Sequence, residues 1–365
     1  MGQLLDAYAA GVNAWVAANP LPPEYGALEI TQFQPWTALD SIAVAKLLAF
    51  GLSFDLDTTN TINLLTYQGA GQQLGFDGAA LFFEDLFRSA PFDPASTVPD
   101  ATASGGEVDA MNAPVGTPAP QSGPESHIRA ETVELIKKWD ADLRAIPFFR
   151  QMLDPETRAG SNEWAVSGDL SATGYPLTAN DPHLSLRMPS TFYPIGISGS
   201  RINAVGMGFP GVPLVVLGHT PRIAWGATTN PLDVTDAYQE QVVPDSASPS
   251  GFSSLYQGNR EPLTPIPETW RFNNPTNGTP NDLTVASGGS IPAATLIVGR
   301  RNAPIVSLDF TTGAAVSVQY IGHGPTREIE TFLIWNEAQN LEDFRRGLEF
   351  FDVGSQNWIY TDVGT

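Results

Sequence analysis

The spacing of apolar residues changes at about residue 154, and this change constrains the fold more than any other feature of the sequence. Before it, apolar side chains recur at helical spacing, most clearly over residues 2–18 and 128–153. After it, short apolar runs alternate with turn residues, which is typical of strands, and a last helix is predicted over about 340–351. Helices followed by strands indicate an α+β fold with a mostly antiparallel sheet.

Several shorter segments can be interpreted in the same way. Residues 91–126 have no periodicity and are rich in Pro, Ala, Ser and Gly, which predicts a mobile linker. Thr37 is a candidate N-cap for a helix that runs to about Phe50. The predicted strands cover 163–167, 201–207, 214–217, 222–227, 293–299, 304–309, 315–321, 330–335 and 357–361.

Composition excludes several kinds of protein. With no cysteine, the chain has no disulfide, no thiolate nucleophile and no cysteine-based metal site. A net charge of −21 argues against a nucleic-acid partner, because phosphate binding needs clustered Lys and Arg. No apolar run approaches the roughly 20 residues of a membrane span. Walker, dinucleotide, HExxH and GxSxG motifs are also absent, so we expect no organic cofactor and no His-rich metal-hydrolase site.

The stretch from Arg158 to Gly168 carries the most chemical information. A serine, Ser161, follows a flexible glycine, Gly160, and a predicted strand begins at once. Glycine permits the strained backbone that lets a hydroxyl attack the preceding carbonyl, so this bond is a candidate for self-cleavage. Cleavage would give Ser161 a free α-amine, which titrates near pH 8 and can act as the base for its own hydroxyl. A Gly-Ser pair alone is more often an ordinary loop-to-strand turn.

Four sequence blocks together resemble the penicillin acylase family of N-terminal-nucleophile hydrolases, which also contains cephalosporin, aculeacin and acyl-homoserine-lactone acylases. They are GSNEWAVSG at 160–168, NDPHL at 180–184, GHTPRIAWGATTN at 218–230 and SQNWIYTDV at 355–363. The blocks occur in the family's order and at similar spacing. The resemblance runs from near residue 4 to the end of the chain.

The resemblance implies a role for each matching residue. Ser161 would be the nucleophile with its α-amine as general base, and His183 would position it and assist self-processing. The backbone N–H of Thr229 would donate to the oxyanion, with Asn230 as the neighbouring candidate. The side-chain amide of Asn357 would be the second donor. Two neutral dipoles aimed at a developing negative oxygen suit amide cleavage.

The family's acyl pocket and calcium site can be placed in the same way. The acyl pocket would be lined by Leu184, Val216 and Leu217, whose aliphatic side chains favour aliphatic over phenylacetyl groups. Calcium is a further expectation, because "LDVTD" matches a stretch that supplies oxygen ligands in some members. Its candidate ligands are Asp233, Thr235 and Asp236.

The resemblance also implies an architecture. We expect a four-layer αββα sandwich with antiparallel sheets, preceded by a mainly helical segment. The chain would divide into a helical part at 1–153, a spacer at 154–160 and a nucleophile part at 161–365, which pair as an α/β heterodimer made from one precursor. Family members have further strands before and after the matched region, so the core is expected to be incomplete here. A periplasmic or secreted location is implied by the resemblance.

Three functions are compatible with these observations. The leading hypothesis is an amidohydrolase that cleaves the linear amide bond of a small-molecule N-acyl substrate with a hydrophobic acyl group. The second is a non-catalytic relative that acts as a binding or structural protein. The third is a conventional serine hydrolase that uses His183 or His219 with an aspartate.

Overall fold

A computed structural model describes residues 1–53, 57–85, 129–146, 149–150, 160–184, 190–230, 234–275, 277–285, 294–354 and 356–364. The linker predicted at 91–126 lies outside these residues, as does the spacer predicted at 154–160 except for Gly160. Those two predictions, and the division into a helical part and a nucleophile part that depends on them, therefore stay predictions.

Among the residues that the structure describes, six helices lie before the strands. They are α1 Gly2–Ala18, α2 Pro23–Ala27, α3 Ala38–Ser53, α4 Asp57–Leu74, α5 Gly78–Asp85 and α6 Ala130–Ala145. The helix predicted over 2–18 is confirmed, and the one predicted over 128–153 is described as the shorter α6. At the start of α3, the Thr37 hydroxyl donates to the Asp40 carboxylate at 2.6 Å, which anchors the first turn that the sequence predicted there.

The candidate active site is built from one hairpin and one five-stranded sheet. The hairpin consists of β1 Ser161–Val166 and β2 Leu177–Pro182, paired antiparallel. The strands of the sheet are β3 Tyr193–Ser198, β4 Asn203–Gly208, β5 Leu217–His219, β6 Ile223–Thr229 and β15 Gln356–Asp362. Its order is β15–β6–β5–β4–β3 and every pairing is antiparallel, so the predicted α+β class with antiparallel sheets is confirmed.

A second group of strands closes a barrel. Its strands are β7 Thr235–Pro244, β8 Phe252–Tyr256, β9 Asn259–Pro267, β12 Ala294–Val298, β13 Ala303–Leu308 and β14 Ala314–Tyr320. They are hydrogen-bonded in the order β12–β13–β14–β7–β8–β9. A separate short hairpin is formed by β10 Arg271–Asn273 and β11 Leu283–Val285.

Two helices cover one face of the five-stranded sheet, α7 Glu328–Glu337 and α8 Leu341–Leu348. Trp335 of α7 is fully buried, and its ring centroid lies 4.5 Å from that of Trp358 and 6.1 Å from that of Trp225. From the N-terminal part, α3 adds apolar side chains to the same core, including Leu48 and Leu52. This core is the largest cluster of buried apolar residues among the described ones.

The strand predicted over 330–335 is wrong, because these residues belong to α7. The buried residues of α7 are Thr331, Phe332, Trp335 and Asn336, which recur at helical spacing and face the sheet. A short, almost continuous apolar run does not distinguish a buried strand from a buried helix.

The sheet presents different residues to its two sides, as alternation along a strand requires. Trp225 of β6 and Trp358 of β15 point toward the helices. The opposite face, which carries Thr228 and Thr361, packs against the β1–β2 hairpin, where Thr178 and Thr361 share a hydrogen bond of 2.6 Å. Helices, sheet and hairpin are thus three consecutive layers, and the complete four-layer sandwich stays a prediction.

Within the described part of the chain, none of the helices is both apolar enough and long enough to span a bilayer.

Candidate active site

Ser161 is the first residue of β1 and lies opposite Pro182 in the hairpin. The peptide bond before it continues the ladder, because the His183 N–H donates to the Gly160 carbonyl at 3.0 Å. Ser161 is half-buried, whereas Gly160 is exposed. The Gly160–Ser161 bond is therefore held at the open end of the hairpin, with its carbonyl already accepting one hydrogen bond.

The side chain of Asn180 fixes this hairpin on the sheet. Its Nδ2 donates to the Ala227 carbonyl at 2.8 Å, and its Oδ1 accepts from the Ala227 N–H at 3.1 Å. A glycine at position 226 is needed for this approach, because a Cβ there would lie 2.7 Å from the Asn180 Cβ. Asn180 was not predicted as a site residue, although it belongs to the NDPHL block. It sets the position of Ser161 relative to β6.

The predicted oxyanion donors meet at the ends of two adjacent strands. Thr229 is the last residue of β6 and lies opposite Gln356 of β15, and Asn357 lies opposite Thr228. The Asn357 Nδ2 donates to the Thr228 hydroxyl oxygen at 3.1 Å, which leaves its second N–H for another acceptor. Asn230 follows β6 directly and is half-buried.

His183 lies beside the nucleophile's strand but points toward solvent. Its Nε2 is 2.9 Å from Asp181 Oδ2 and 3.3 Å from Asn162 Nδ2. The exposed His219 of β5 instead contacts the Thr220 carbonyl through Nδ1 at 3.1 Å. Of the two histidines in the triad alternative, only His183 has an aspartate partner in the described hydrogen bonds.

A mostly apolar cavity opens next to Ser161. Its lining combines both strand ends with residues from α3, α7 and the β4–β5 connection, namely Leu52, Ser161, Pro182, Leu184, Phe192, Phe209, Val216, Leu217, Ala227, Thr229, Phe332, Gln356 and Trp358. The space, counted out to its open mouth and including solvent there, is about 500 Å³.

All three residues predicted to form the acyl pocket contribute to this lining: Leu184, Val216 and Leu217. The sequence analysis missed the aromatic side chains of the wall. Phe192 and Phe209 stack with ring centroids 4.7 Å apart, and Phe332 and Trp358 are further lining residues. They come from four distant positions in the chain, and of the four only Trp358 lies in one of the sequence blocks. The wall is therefore mixed aliphatic and aromatic.

Glu163 is a second site residue that the sequence analysis did not single out. It lies two positions after Ser161 on β1, so alternation puts both side chains on the face turned toward the sheet. Its carboxyl accepts hydrogen bonds from the Thr228 hydroxyl and the Ile359 N–H. Burial outweighs these hydrogen bonds and raises the pKa of the Glu163 carboxyl above its usual value.

The predicted calcium ligands are only partly described. Asp233 lies outside the described residues. Thr235 is buried at the start of β7, whereas Asp236 is exposed and its carboxylate accepts from the Tyr238 hydroxyl at 3.3 Å. Among described residues, no group of three or more His, Asp or Glu side chains could hold a metal ion. Thr235 and Asp236 alone do not fit the donor set that calcium needs, and the calcium site stays a prediction.

The arrangement can perform acyl transfer. A serine hydroxyl lies beside an apolar cavity that Thr229 also lines, and Asn357 lies on the strand paired with that of Thr229. An acyl chain in the cavity would bring its carbonyl to the serine, where the donors can stabilise a negative oxygen.

Comparison with known proteins identifies similar chains. The family model described as penicillin amidase matches residues 1–365. Penicillin acylase 2 proenzyme from Pseudomonas sp. (strain SE83) is 26% identical over 327 residues, which cover 88% of this chain and 35% of that protein. The acyl-homoserine lactone acylase QuiP from Pseudomonas fluorescens is 27% identical over 272 residues, which cover 73% of this chain and 28% of that protein.

A solved structure is similar over part of the chain. The thermostable penicillin G acylase from Alcaligenes faecalis matches with a TM-score of 0.37 and 25% identity, covering 48% of this chain and 28% of that one. The present chain spans about a third of the length of the curated relatives that it matches.

Proposed function

The chain belongs to the penicillin amidase family, and from this premise we propose that the protein hydrolyses the amide bond of a small-molecule N-acyl substrate with a hydrophobic acyl group. The observation that carries the proposal is the position of Ser161 at the mouth of an apolar cavity that Thr229 also lines. Substrate, activity and partners of the whole protein are part of this proposal.

The proposed activation is self-cleavage at Gly160–Ser161. The Ser161 hydroxyl attacks the Gly160 carbonyl carbon, the peptide C–N bond breaks to give an ester and a free α-amine, and water hydrolyses the ester. The hydrogen bond from the His183 N–H to the Gly160 oxygen supports this step, because that oxygen becomes negative during the attack. The product would be an α/β heterodimer from one precursor, with a spacer at 154–160 removed.

In the mature enzyme, the α-amine of Ser161 accepts the proton of its hydroxyl as Oγ attacks the substrate carbonyl. The Thr229 N–H and the Asn357 amide donate to the resulting oxyanion, and Asn230 is a neighbouring candidate. The amine leaving group takes up the proton, and water then releases the acid from the serine ester. Loss of one oxyanion donor typically lowers kcat by about 10²–10³-fold.

The cavity supports a hydrophobic acyl group as the recognised part of the substrate. Relatives named penicillin acylase and acyl-homoserine lactone acylase both fit this description. The sequence favoured aliphatic chains on the basis of Leu184, Val216 and Leu217, but the stacked Phe192 and Phe209 also offer surface to a ring. Rates on octanoyl and phenylacetyl amides of one amine test the preference, and faster phenylacetyl hydrolysis would remove it.

The intact mass of the protein, expressed in full from its own gene, tests the proposed function. We expect two chains, the second of which begins with Ser161. Ser161→Ala should stay uncut and inactive, and Ser161→Cys provides an alternative nucleophile for the cut. A continuous chain that hydrolyses amides and depends on His183 and Asp181 would favour the triad mechanism. A folded protein without activity on any acyl amide would favour the binding function.

Calcium and cellular location rest on the family resemblance alone. We propose a structural calcium ion near Asp233, Thr235 and Asp236, and a periplasmic or secreted location. A melting temperature that does not change between EDTA and added calcium would contradict the first proposal. Recovery of the protein only in the cytoplasmic fraction would contradict the second.

A further inference from the structure

Glu163 is joined to the Asn357 amide by a single hydroxyl. Asn357 donates to the Thr228 oxygen at 3.1 Å, and the Thr228 hydroxyl donates its own hydrogen to the Glu163 carboxyl. The three residues come from three strands, β1, β6 and β15. Because the same β1 carries Ser161, the chain of hydrogen bonds connects the nucleophile's strand to the proposed oxyanion donor.

Within the part of the chain that the structure describes, no cation is paired with this carboxyl. Its Oε2 is buried and has no hydrogen-bond partner among the residues that the structure describes. The strands packed around it, β1, β2, β6 and β15, contain no lysine or arginine. Their other charged residues are Asp181, whose carboxylate contacts His183, and Asp362, which accepts from the Tyr360 hydroxyl. A buried carboxyl without a cation lowers stability, so a purely structural role accounts poorly for it.

The direction of the hydrogen bonds explains what an ionised Glu163 does. A carboxylate can only accept, so it fixes the Thr228 hydrogen toward itself. The Thr228 oxygen then has only lone pairs to offer to Asn357, and the amide must turn its NH₂ group toward β6. Without the carboxylate, the Thr228 hydroxyl could donate to Asn357 Oδ1, and the amide could flip and present an oxygen where a donor is needed.

We propose that Glu163 is a positioning residue that holds the Asn357 amide in its donating orientation through Thr228. The inference rests on the proposed function, in which that amide stabilises the oxyanion. It adds a residue that touches neither substrate nor nucleophile and acts on the transition state through its neighbour.

A pH dependence follows from the same geometry. Protonation of Glu163 adds a donor and releases the Thr228 hydrogen, so the orientation of Asn357 is lost. Because burial raises the pKa of this carboxyl, the loss begins at a higher pH than for an exposed glutamate. The α-amine of Ser161 also loses activity on protonation, but near pH 8. On falling pH, log kcat should therefore decline first with a slope of about one and then of about two.

The test compares kcat and KM of the processed enzyme for wild type, Glu163→Ala, Glu163→Gln, Thr228→Val and the Glu163→Ala/Thr228→Val double variant. Glu163→Ala and Thr228→Val should each lower kcat by about 10-fold, less than the 10²–10³-fold loss for a deleted donor, with little change in KM. The double variant should be no worse than either single variant, because both remove one connected unit.

Glu163→Gln is the decisive variant, because it keeps the size of the side chain and is neutral at every pH, as the protonated carboxyl is. It should lower kcat at neutral pH by about as much as Glu163→Ala and remove the second, steeper decline at low pH. Asp169→Asn, an exposed carboxylate in the β1–β2 connection, is the matched control and should reproduce the wild-type profile.

The outcomes separate this inference from the proposed function. Activity that persists in Ser161→Ala overturns the proposed function. Ser161-dependent activity with an unchanged kcat in Thr228→Val, or with both declines intact in Glu163→Gln, overturns the role of Glu163. Self-cleavage into two chains, followed by intact mass, verifies that each Glu163 and Thr228 variant has folded.

Discussion

The barrel and the candidate site each contain a glutamate with a buried carboxyl oxygen, but only the glutamate of the barrel has a full set of partners. In the barrel, Glu240 of β7 is 1% exposed and all its acceptor positions are used. Oε2 accepts from Arg300 and Ser254, each at 2.6 Å, and Oε1 accepts from Arg301 at 3.0 Å and Ser317 at 2.9 Å. Two cations and two hydroxyls compensate one buried charge.

In the site, Glu163 has hydrogen-bond donors for one side of its carboxyl, no cation and a buried Oε2 without a partner in the described structure. Uncompensated polar groups of this kind tend to mark functional positions, where stability is given up for chemistry. Burial alone therefore does not distinguish a structural glutamate from a functional one. The two glutamates differ in whether both carboxyl oxygens have hydrogen-bond or ion-pair partners.

The largest expected loss of stability follows from a substitution in the barrel. Glu240→Gln removes the carboxylate that pairs with Arg301 and one of the two that pair with Arg300, and it should lower the free energy of unfolding by about 3 kcal/mol, measured by urea denaturation. The molecules that remain folded should keep their kcat. Glu261→Gln, at the more exposed partner of Arg300, is the control and should cost about 1 kcal/mol or less. Equal losses in the two variants would break the comparison.

At Asn357 in the site, we expect the opposite result, a loss of turnover with little loss of stability. Asn357→Ala should lower kcat by about 10²–10³-fold, because it removes one of the two proposed oxyanion donors. The melting temperature should hardly change, because the side chain is exposed and makes one hydrogen bond to Thr228. Asn203→Ala on β4, also exposed and in the same sheet, should keep wild-type kcat. A loss of stability without a loss of turnover would assign Asn357 to the structure instead.

A smaller effect is expected where the hairpin meets the sheet. Gly226→Ala puts a methyl group 2.7 Å from the Asn180 Cβ and should destabilise the protein by about 1–3 kcal/mol, as overpacking does. Gly196→Ala on β3 is the matched control, because its Cβ would lie 3.8 Å from Val205 Cγ2, an ordinary contact. Thermal unfolding of both variants decides whether the Asn180 contact is as tight as described.

The smallest effect concerns the pH dependence of stability. The folded state raises the pKa of Glu163, so it binds this proton more tightly than the unfolded chain does. Stability should therefore fall as pH rises from the carboxyl's ordinary value through its raised value. Glu163→Gln should remove this fall, so the difference in melting temperature between variant and wild type should grow from pH 4 to pH 7. A constant difference would mean that Glu163 is solvated like a surface carboxylate.

The sequence predicted the parts of the site that depend on local patterns. Ser161 at the start of a strand, and the strands that carry Thr229 and Asn357, are present as expected. The Phe192–Phe209 stack was not predictable, because it forms only when the sheet is assembled. The burial of Glu163 likewise depends on strands β6 and β15, distant in sequence from β1.

The sequence predicted only some strands of the barrel, and the prolines of β9 are one reason. Its strands β12, β13 and β14 follow from apolar runs, but β9 contains three prolines, at positions 262, 265 and 267. Proline cannot donate to a ladder, so such a run argues against a strand that pairs on both sides. Here β9 pairs with β8 along its first half and with β12 along its second half, which limits the donors that the prolines remove.

The double hydrogen bond between Asn180 and Ala227 has a consequence for a cut before Ser161. New chain ends usually fray, because nothing opposes their gain in conformational entropy. Six residue pairs join β1 to β2 in the hairpin, and the Asn180 amide binds β2 to the sheet through two hydrogen bonds. A chain terminus released there would stay as ordered as a residue in the interior of a strand. Its amine and hydroxyl would therefore remain beside the cavity after the cut.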